Sequence, residues 1–154
     1  MKVAVMGSGS WGTALSILLC ENGQDVRLWS YSAEECEALQ IDREHKAFLP
    51  GVKIPQAIRI TNQAEEALQG AEAVVLATPS RYMRSTMESF RGYLQPSMLL
   101  INVAKGLESD TLKTLAQVIS EICPENPVAV LSGPSHAEEV SRRIPTSVVA
   151  ASHS

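Results

Sequence analysis

Residues 3–19 run Val3-Ala4-Val5-Met6-Gly7-Ser8-Gly9-Ser10-Trp11-Gly12-Thr13-Ala14-Leu15-Ser16-Ile17-Leu18-Leu19. Four apolar residues read as a buried strand. Three glycines follow in the spacing G-x-G-x-x-G, and Ala14, Leu15, Leu18 and Leu19 then recur on one face of a helix expected over Thr13–Asn22, with Gly23 as its stop. Each glycine answers a different steric demand: Gly7 permits the tight turn, Gly9 lets backbone approach a pyrophosphate, and Gly12 lets the helix pack close to the strand. The helix start presents unpaired N–H groups to an anion. The spacing by itself is a weak signal. Its place between an N-terminal strand and an apolar helix makes it a dinucleotide-binding signature.

The rest of the chain repeats the strand–helix rhythm. Val26–Trp29 reads as a second strand and Glu34–Ile41 as a short polar helix. Ile58–Thr61 is a third strand, Gln63–Gln69 a helix closed by Gly70, and Ala73–Ala77 a fourth strand. Tyr82–Tyr93 reads as a helix before Pro96, and Leu99–Val103 as a fifth strand. The clearest periodicity, Leu112, Leu115, Ala116 and Ile119, predicts a helix over Asp110–Ile122 capped by Ser109 or Asp110. Val128–Leu131, a helix over Ala137–Arg143, and Ser147–Ala151 complete the pattern. Such alternation predicts an α/β fold of the doubly wound Rossmann type: one mainly parallel sheet with helices on both faces. The final apolar strand lacks a closing element, so a further domain is expected beyond it.

Composition narrows the function classes. The 154 residues carry 13 Lys and Arg against 17 Asp and Glu, a net charge of −4, with 45 % apolar and 19 % charged residues. This suits one globular domain and speaks against a nucleic-acid groove or an anionic membrane surface as partner. Neither a signal peptide nor a membrane span is read in the sequence. Cys20, Cys36 and Cys123 are odd in number and lack metal-ligand spacing, so no metal site is expected; they read as reduced packing residues.

Ligands in such sheets sit beyond the carboxyl ends of the strands. NAD-specific domains place an acid there, after the second strand. Here Trp29-Ser30-Tyr31-Ser32 has none before Glu34. No Arg or Lys follows to hold a 2′-phosphate either, so the reading is NADP or NAD, leaning to NADPH. Three more loops fall at strand ends: Thr78-Pro79-Ser80, Ala104-Lys105-Gly106 and Ser132-Gly133-Pro134-Ser135-His136-Ala137. Lys105, directly after an apolar strand, can attract a phosphate or steady a carbonyl oxygen as charge develops. Gly133 and Ser135 can offer donors to an anion. His136 adjoins the site without being a base by position alone, and Trp11 is expected to shape the cofactor cleft.

Taken together, Gly7–Leu15, Phe48-Leu-Pro-Gly51, Thr78-Pro-Ser80, Ala104-Lys-Gly-Leu107, Leu131–Ala137, Glu139-Val140 and Pro145-Thr146 resemble the bacterial-type NAD(P)-dependent glycerol-3-phosphate dehydrogenases, in family order over essentially the whole chain. The resemblance implies reversible hydride transfer between NAD(P)H and dihydroxyacetone phosphate, giving sn-glycerol 3-phosphate for phospholipid synthesis, by a cytoplasmic enzyme that is a homodimer at full length. It implies cofactor contacts by Gly7, Gly9, Ser10, Trp11, Gly12, Tyr31, Phe48, Lys105 and Ala137, and contacts of Lys105, Gly133 and Ser135 with a small phosphosubstrate. The family often has Arg or His at Tyr31, Tyr at Phe48, Ser at Ala104 and Phe at His136. Its general base is a lysine of a C-terminal helical domain that residues 1–154 do not contain, so no catalytic residue is expected in this chain. A 3-hydroxyacid or ketopantoate-type reductase, and a dinucleotide sensor without activity, are the rival readings.

Overall fold

A computed structural model describes residues 1–153. Its elements are β1 (Lys2–Met6), α1 (Ser10–Glu21), β2 (Asp25–Trp29), α2 (Ala33–Asp42), β3 (Glu44–His45), β4 (Leu49–Lys53), β5 (Arg59–Thr61), α3 (Ala64–Leu68), β6 (Ala73–Leu76), α4 (Met83–Phe90), β7 (Leu99–Asn102), α5 (Leu115–Ile122), β8 (Val128–Ser132), α6 (Ala137–Ser141) and β9 (Val149–Ser152). Seven strands form one sheet in the order β5-β2-β1-β6-β7-β8-β9. The chain winds outward from β1 in both directions, which is the doubly wound topology, with its switch point between β1 and β6.

The central strands β1 and β6 are almost wholly apolar because both sheet faces are covered there, whereas β9 at the edge is exposed along its length. Successive side chains point to opposite faces. Ala4 and Met6 of β1 therefore join Val74, Leu76, Met83, Met87, Phe90 and Ile119 in one core, while Val3 and Val5 join Leu15, Leu28, Leu39, Ile58 and Val75 in the other. Register is consistent across the sheet, with Val5 opposite both Leu28 and Val75. Cys20 is half-buried, and Cys36 and Cys123 are buried free thiols. Burial, helped by the nearby Glu66 and Glu35 carboxylates, pushes the Cys36 thiol up, and burial does the same at Cys123.

Four expectations change. First, α1 begins at Ser10 rather than Thr13, because Gly9 is its extended N-cap and the helix takes in half of the glycine motif. Second, the helix expected over Asp110–Ile122 begins only at Leu115. Thr114 and Gln117 form a capping box. The preceding residues fold back as a tight loop in which Leu107 bridges Thr114. Leu112 there is exposed, with a left-handed φ of 59°, and not on a core face. Third, β9 runs antiparallel to β8, with Val130 opposite Ala151. The intervening α6 packs on α1 rather than on the outer sheet edge, so the chain returns along the edge instead of crossing over; an antiparallel edge strand is common in such sheets. Fourth, the β3–β4 hairpin was not expected. It carries Phe48 in its turn.

Candidate functional site

The ends of β1 and β6 meet at the switch point. The Gly7 N–H donates to the Trp29 carbonyl, and the Thr78 hydroxyl donates to the Met6 carbonyl at 3.2 Å. Two glycines of the motif are sterically compulsory. Gly7 has φ 127°, and a Cβ there would sit 2.8 Å from the Ala77 oxygen; a Cβ on Gly12 would sit 1.9 Å from the Gly7 oxygen. A Cβ on Gly9 would meet no protein atom within 4 Å. Its smallness therefore serves no packing need of the chain itself. It leaves open space at the start of α1, where no side chain caps the helix and no acidic residue occupies the first turn. A helix start left in that state suits an anion.

This turn opens into a cleft of about 500 Å³ lined by Gly7, Ser8 and Gly9, by Trp29–Ser32 and Glu35, by Phe48, by Ala77–Pro79 and by Tyr82, Ser85 and Thr86. Tyr31 and Phe48 are exposed and stand at its rim. Trp11 packs on the same core cluster that contains Ala137, and its indole Nε1 is buried without a hydrogen-bond partner.

The sequence analysis missed Glu35. It lies in the first turn of α2, where its N–H is capped by Ser32, and α2 folds it back onto the end of β2. The Ser8 hydroxyl donates to Glu35 Oε1, and the Ser30 hydroxyl reaches the same oxygen at 3.2 Å. His45, from the β3–β4 hairpin, places Nε2 3.5 Å from that oxygen. The end of β2 itself carries no acid; Glu35 comes from one turn into the next helix.

The second group of expected residues lies at the ends of β7 and β8. Asn102 shapes the turn after β7, its side chain bonding both the N–H and the carbonyl of Ala104. Lys105 Nζ then donates to the Ser135 carbonyl at 2.9 Å, uniting Lys105 with the Gly133–Ser135 loop. Two ammonium protons remain for a ligand. Gly133 has φ 140°, and a Cβ there would lie 2.8 Å from the Ser147 oxygen. Gly106 approaches Ser80, so the loop after β6 borders the same region. The loop beyond Lys105 is clamped: Arg84 of α4 grips both oxygens of Glu108 at 2.7 and 2.8 Å and reaches Glu121 of α5. The Arg84 guanidinium, with help from the Thr111 hydroxyl, holds the Glu108 carboxyl down to about 2.

A larger hollow of about 730 Å³ lies between α5 and the β8–β9 edge, but no sequence-predicted site residue lines it. Among the described residues no cluster of His, Cys, Asp and Glu could hold a metal, and no helix is long and apolar enough to cross a membrane.

Residues 2–154 match the family described as NAD-dependent glycerol-3-phosphate dehydrogenase N-terminus. The chain belongs to this family. Curated relatives include a glycerol-3-phosphate dehydrogenase [NAD(P)+] of Chlorobium phaeobacteroides, 49 % identical over 99 % of this chain, and one of Fusobacterium nucleatum, 46 % identical over 99 %. The chain spans 46 % of the length of each, about half. Among solved structures, glycerol-3-phosphate dehydrogenase from Coxiella burnetii superposes with a TM-score of 0.94 at 30 % identity, over 99 % of this chain and 47 % of that one. A ketopantoate reductase from Ralstonia eutropha shares the fold alone, with a TM-score of 0.68 at 22 % identity over 86 % of this chain and 41 % of that one. Of the residues that the resemblance assigned to the cofactor, Gly7, Gly9, Tyr31 and Phe48 line the cleft, whereas Ser10, Trp11, Gly12 and Ala137 do not; Lys105 meets the Gly133–Ser135 loop at the ends of β7 and β8.

Proposed function

We propose that this chain is the cofactor-binding domain of an NAD(P)-dependent glycerol-3-phosphate dehydrogenase, and that the whole protein reduces dihydroxyacetone phosphate reversibly to sn-glycerol 3-phosphate, feeding phospholipid synthesis. The observation that carries the reading is the pairing of an uncapped, sterically open glycine turn with Lys105 fixed on the Gly133–Ser135 loop. The turn and the N–H groups of Ser10, Trp11 and Gly12 hold the pyrophosphate. Tyr31 and Phe48 flank the adenosine end, and Ala137 supports the cleft beside Trp11. When bound, the dinucleotide supplies the hydride. Lys105 draws the substrate's phosphate or carbonyl oxygen toward the strand ends, and the Gly133 and Ser135 donors orient it. The proton at the alcohol oxygen is given on reduction, and taken on oxidation, by a lysine outside these residues, in a helical domain of the whole protein, which works as a cytoplasmic homodimer.

The test is Lys105→Ala in the whole protein. Removing one preorganised electrostatic contact of this kind is expected to lower kcat/KM for dihydroxyacetone phosphate by about a hundredfold or more. Undiminished turnover by a correctly folded variant would contradict the role given to Lys105.

A further inference from the structure

Glu35 is the one carboxylate in the cleft, and no Arg or Lys lines that cleft among the described residues. Its place matters because the ribose 2′ position of a bound dinucleotide lies at the end of the second strand. Ser30, the first residue beyond β2, touches Glu35 directly. The carboxylate is also held still. Oε1 takes the Ser8 and Ser30 hydroxyls, while Oε2 makes no hydrogen bond among the described residues. One oxygen is anchored and the other is free to accept.

His45 Nδ1 accepts the Phe48 N–H, and its Nε2 stands 3.5 Å from Glu35 Oε1, the anchored oxygen. With no Arg or Lys in the lining, the Glu35 carboxylate is the acidic group that a ligand in the cleft meets.

We infer that Glu35 selects the cofactor: its free oxygen accepts a hydrogen bond from the ribose 2′-hydroxyl of NADH and its charge rejects the 2′-phosphate of NADPH. This rests on the dinucleotide reading above and reverses the leaning to NADPH that the strand-end residues alone suggested. Like charges brought together in a partly desolvated site oppose each other strongly, and an anchored carboxylate cannot swing away to relieve the repulsion.

The experiment is a set of calorimetric titrations of this chain with NADH and NADPH, and with adenosine 5′-monophosphate and adenosine 2′,5′-bisphosphate, which differ only by the phosphate in question. NADH and the monophosphate are expected to bind at least about tenfold more tightly than their 2′-phosphorylated counterparts. In Glu35→Gln, which keeps the shape and removes the charge, the gap is expected to close, chiefly because NADPH gains. Equal or tighter NADPH binding by the unaltered chain overturns the inference, and so does an unchanged ratio in folded Glu35→Gln. If that variant does not fold, the two adenosine probes on the unaltered chain decide. Binding of none of the four ligands overturns the dinucleotide reading itself, and this inference with it.

Discussion

Gly9 and Gly12 stand three positions apart in one motif yet do unlike jobs. A Cβ at Gly12 collides with the Gly7 carbonyl, so Gly12→Ala is expected to unfold or severely destabilise the chain, whereas at Gly9 there is open space. Gly9→Ala is therefore expected to keep the melting temperature within a degree or two of the parent (surface changes without strain cost about 0.5 kcal/mol or less) and to lose dinucleotide binding, because the methyl group fills the room left for the pyrophosphate. Paired melting curves and titrations of the two variants check this; a Gly9→Ala chain that binds as well as the parent contradicts the assignment. At this scale the sequence was informative where spacing carries the chemistry. Gly7, Gly9, Gly12 and Lys105 are placed by motif and by strand end. Glu35 was illegible because it reaches the cleft through the trajectory of α2, and its contacts with Ser8 and Ser30 join residues 27 and 5 positions away. Asn102 was illegible for a related reason: a polar residue at a strand end shows its turn-forming role only once the turn exists.

Among the elements, the central strands β1 and β6 were legible as apolar runs, since burial on both faces leaves no polar alternation there. Helix starts were less legible. The periodicity of Leu112, Leu115, Ala116 and Ile119 extends one turn too far, because Leu112 matches the helical spacing while its backbone is left-handed. The loop before α5 is held instead by ionic contacts, which periodicity does not reveal. Arg84 and Glu108 join α4 to that loop, and Lys113 and Glu121 join the loop to α5. Their pH dependence follows from the direction of the shift. A carboxylate held low in the folded state contributes fully above its unfolded value of about 4.3 and loses the contribution as pH falls toward about 2. Glu108→Gln is thus expected to melt lower than the parent near neutral pH, with the difference shrinking as the pH drops through that window. A difference that stays constant on acidification would show that the ionised pair is not what Glu108 provides.

For the whole molecule, the order β5-β2-β1-β6-β7-β8-β9 brings the glycine turn, the loop after β6 and the loops after β7 and β8 to one edge. The hairpin bearing Phe48 rises beside them. Winding about β1 was foreseeable from strand–helix alternation and the right-handedness of crossovers. The reversal at β9 was not, since an apolar run of four residues has no direction. The central claim is that this edge is a dinucleotide site complete enough to bind its ligand. The measurement that tests it most directly is calorimetric titration of the chain with NADH. Saturable binding at one site per chain, abolished by Gly9→Ala, is the expected result. A well-folded chain that takes up no NADH at millimolar concentration would contradict the claim.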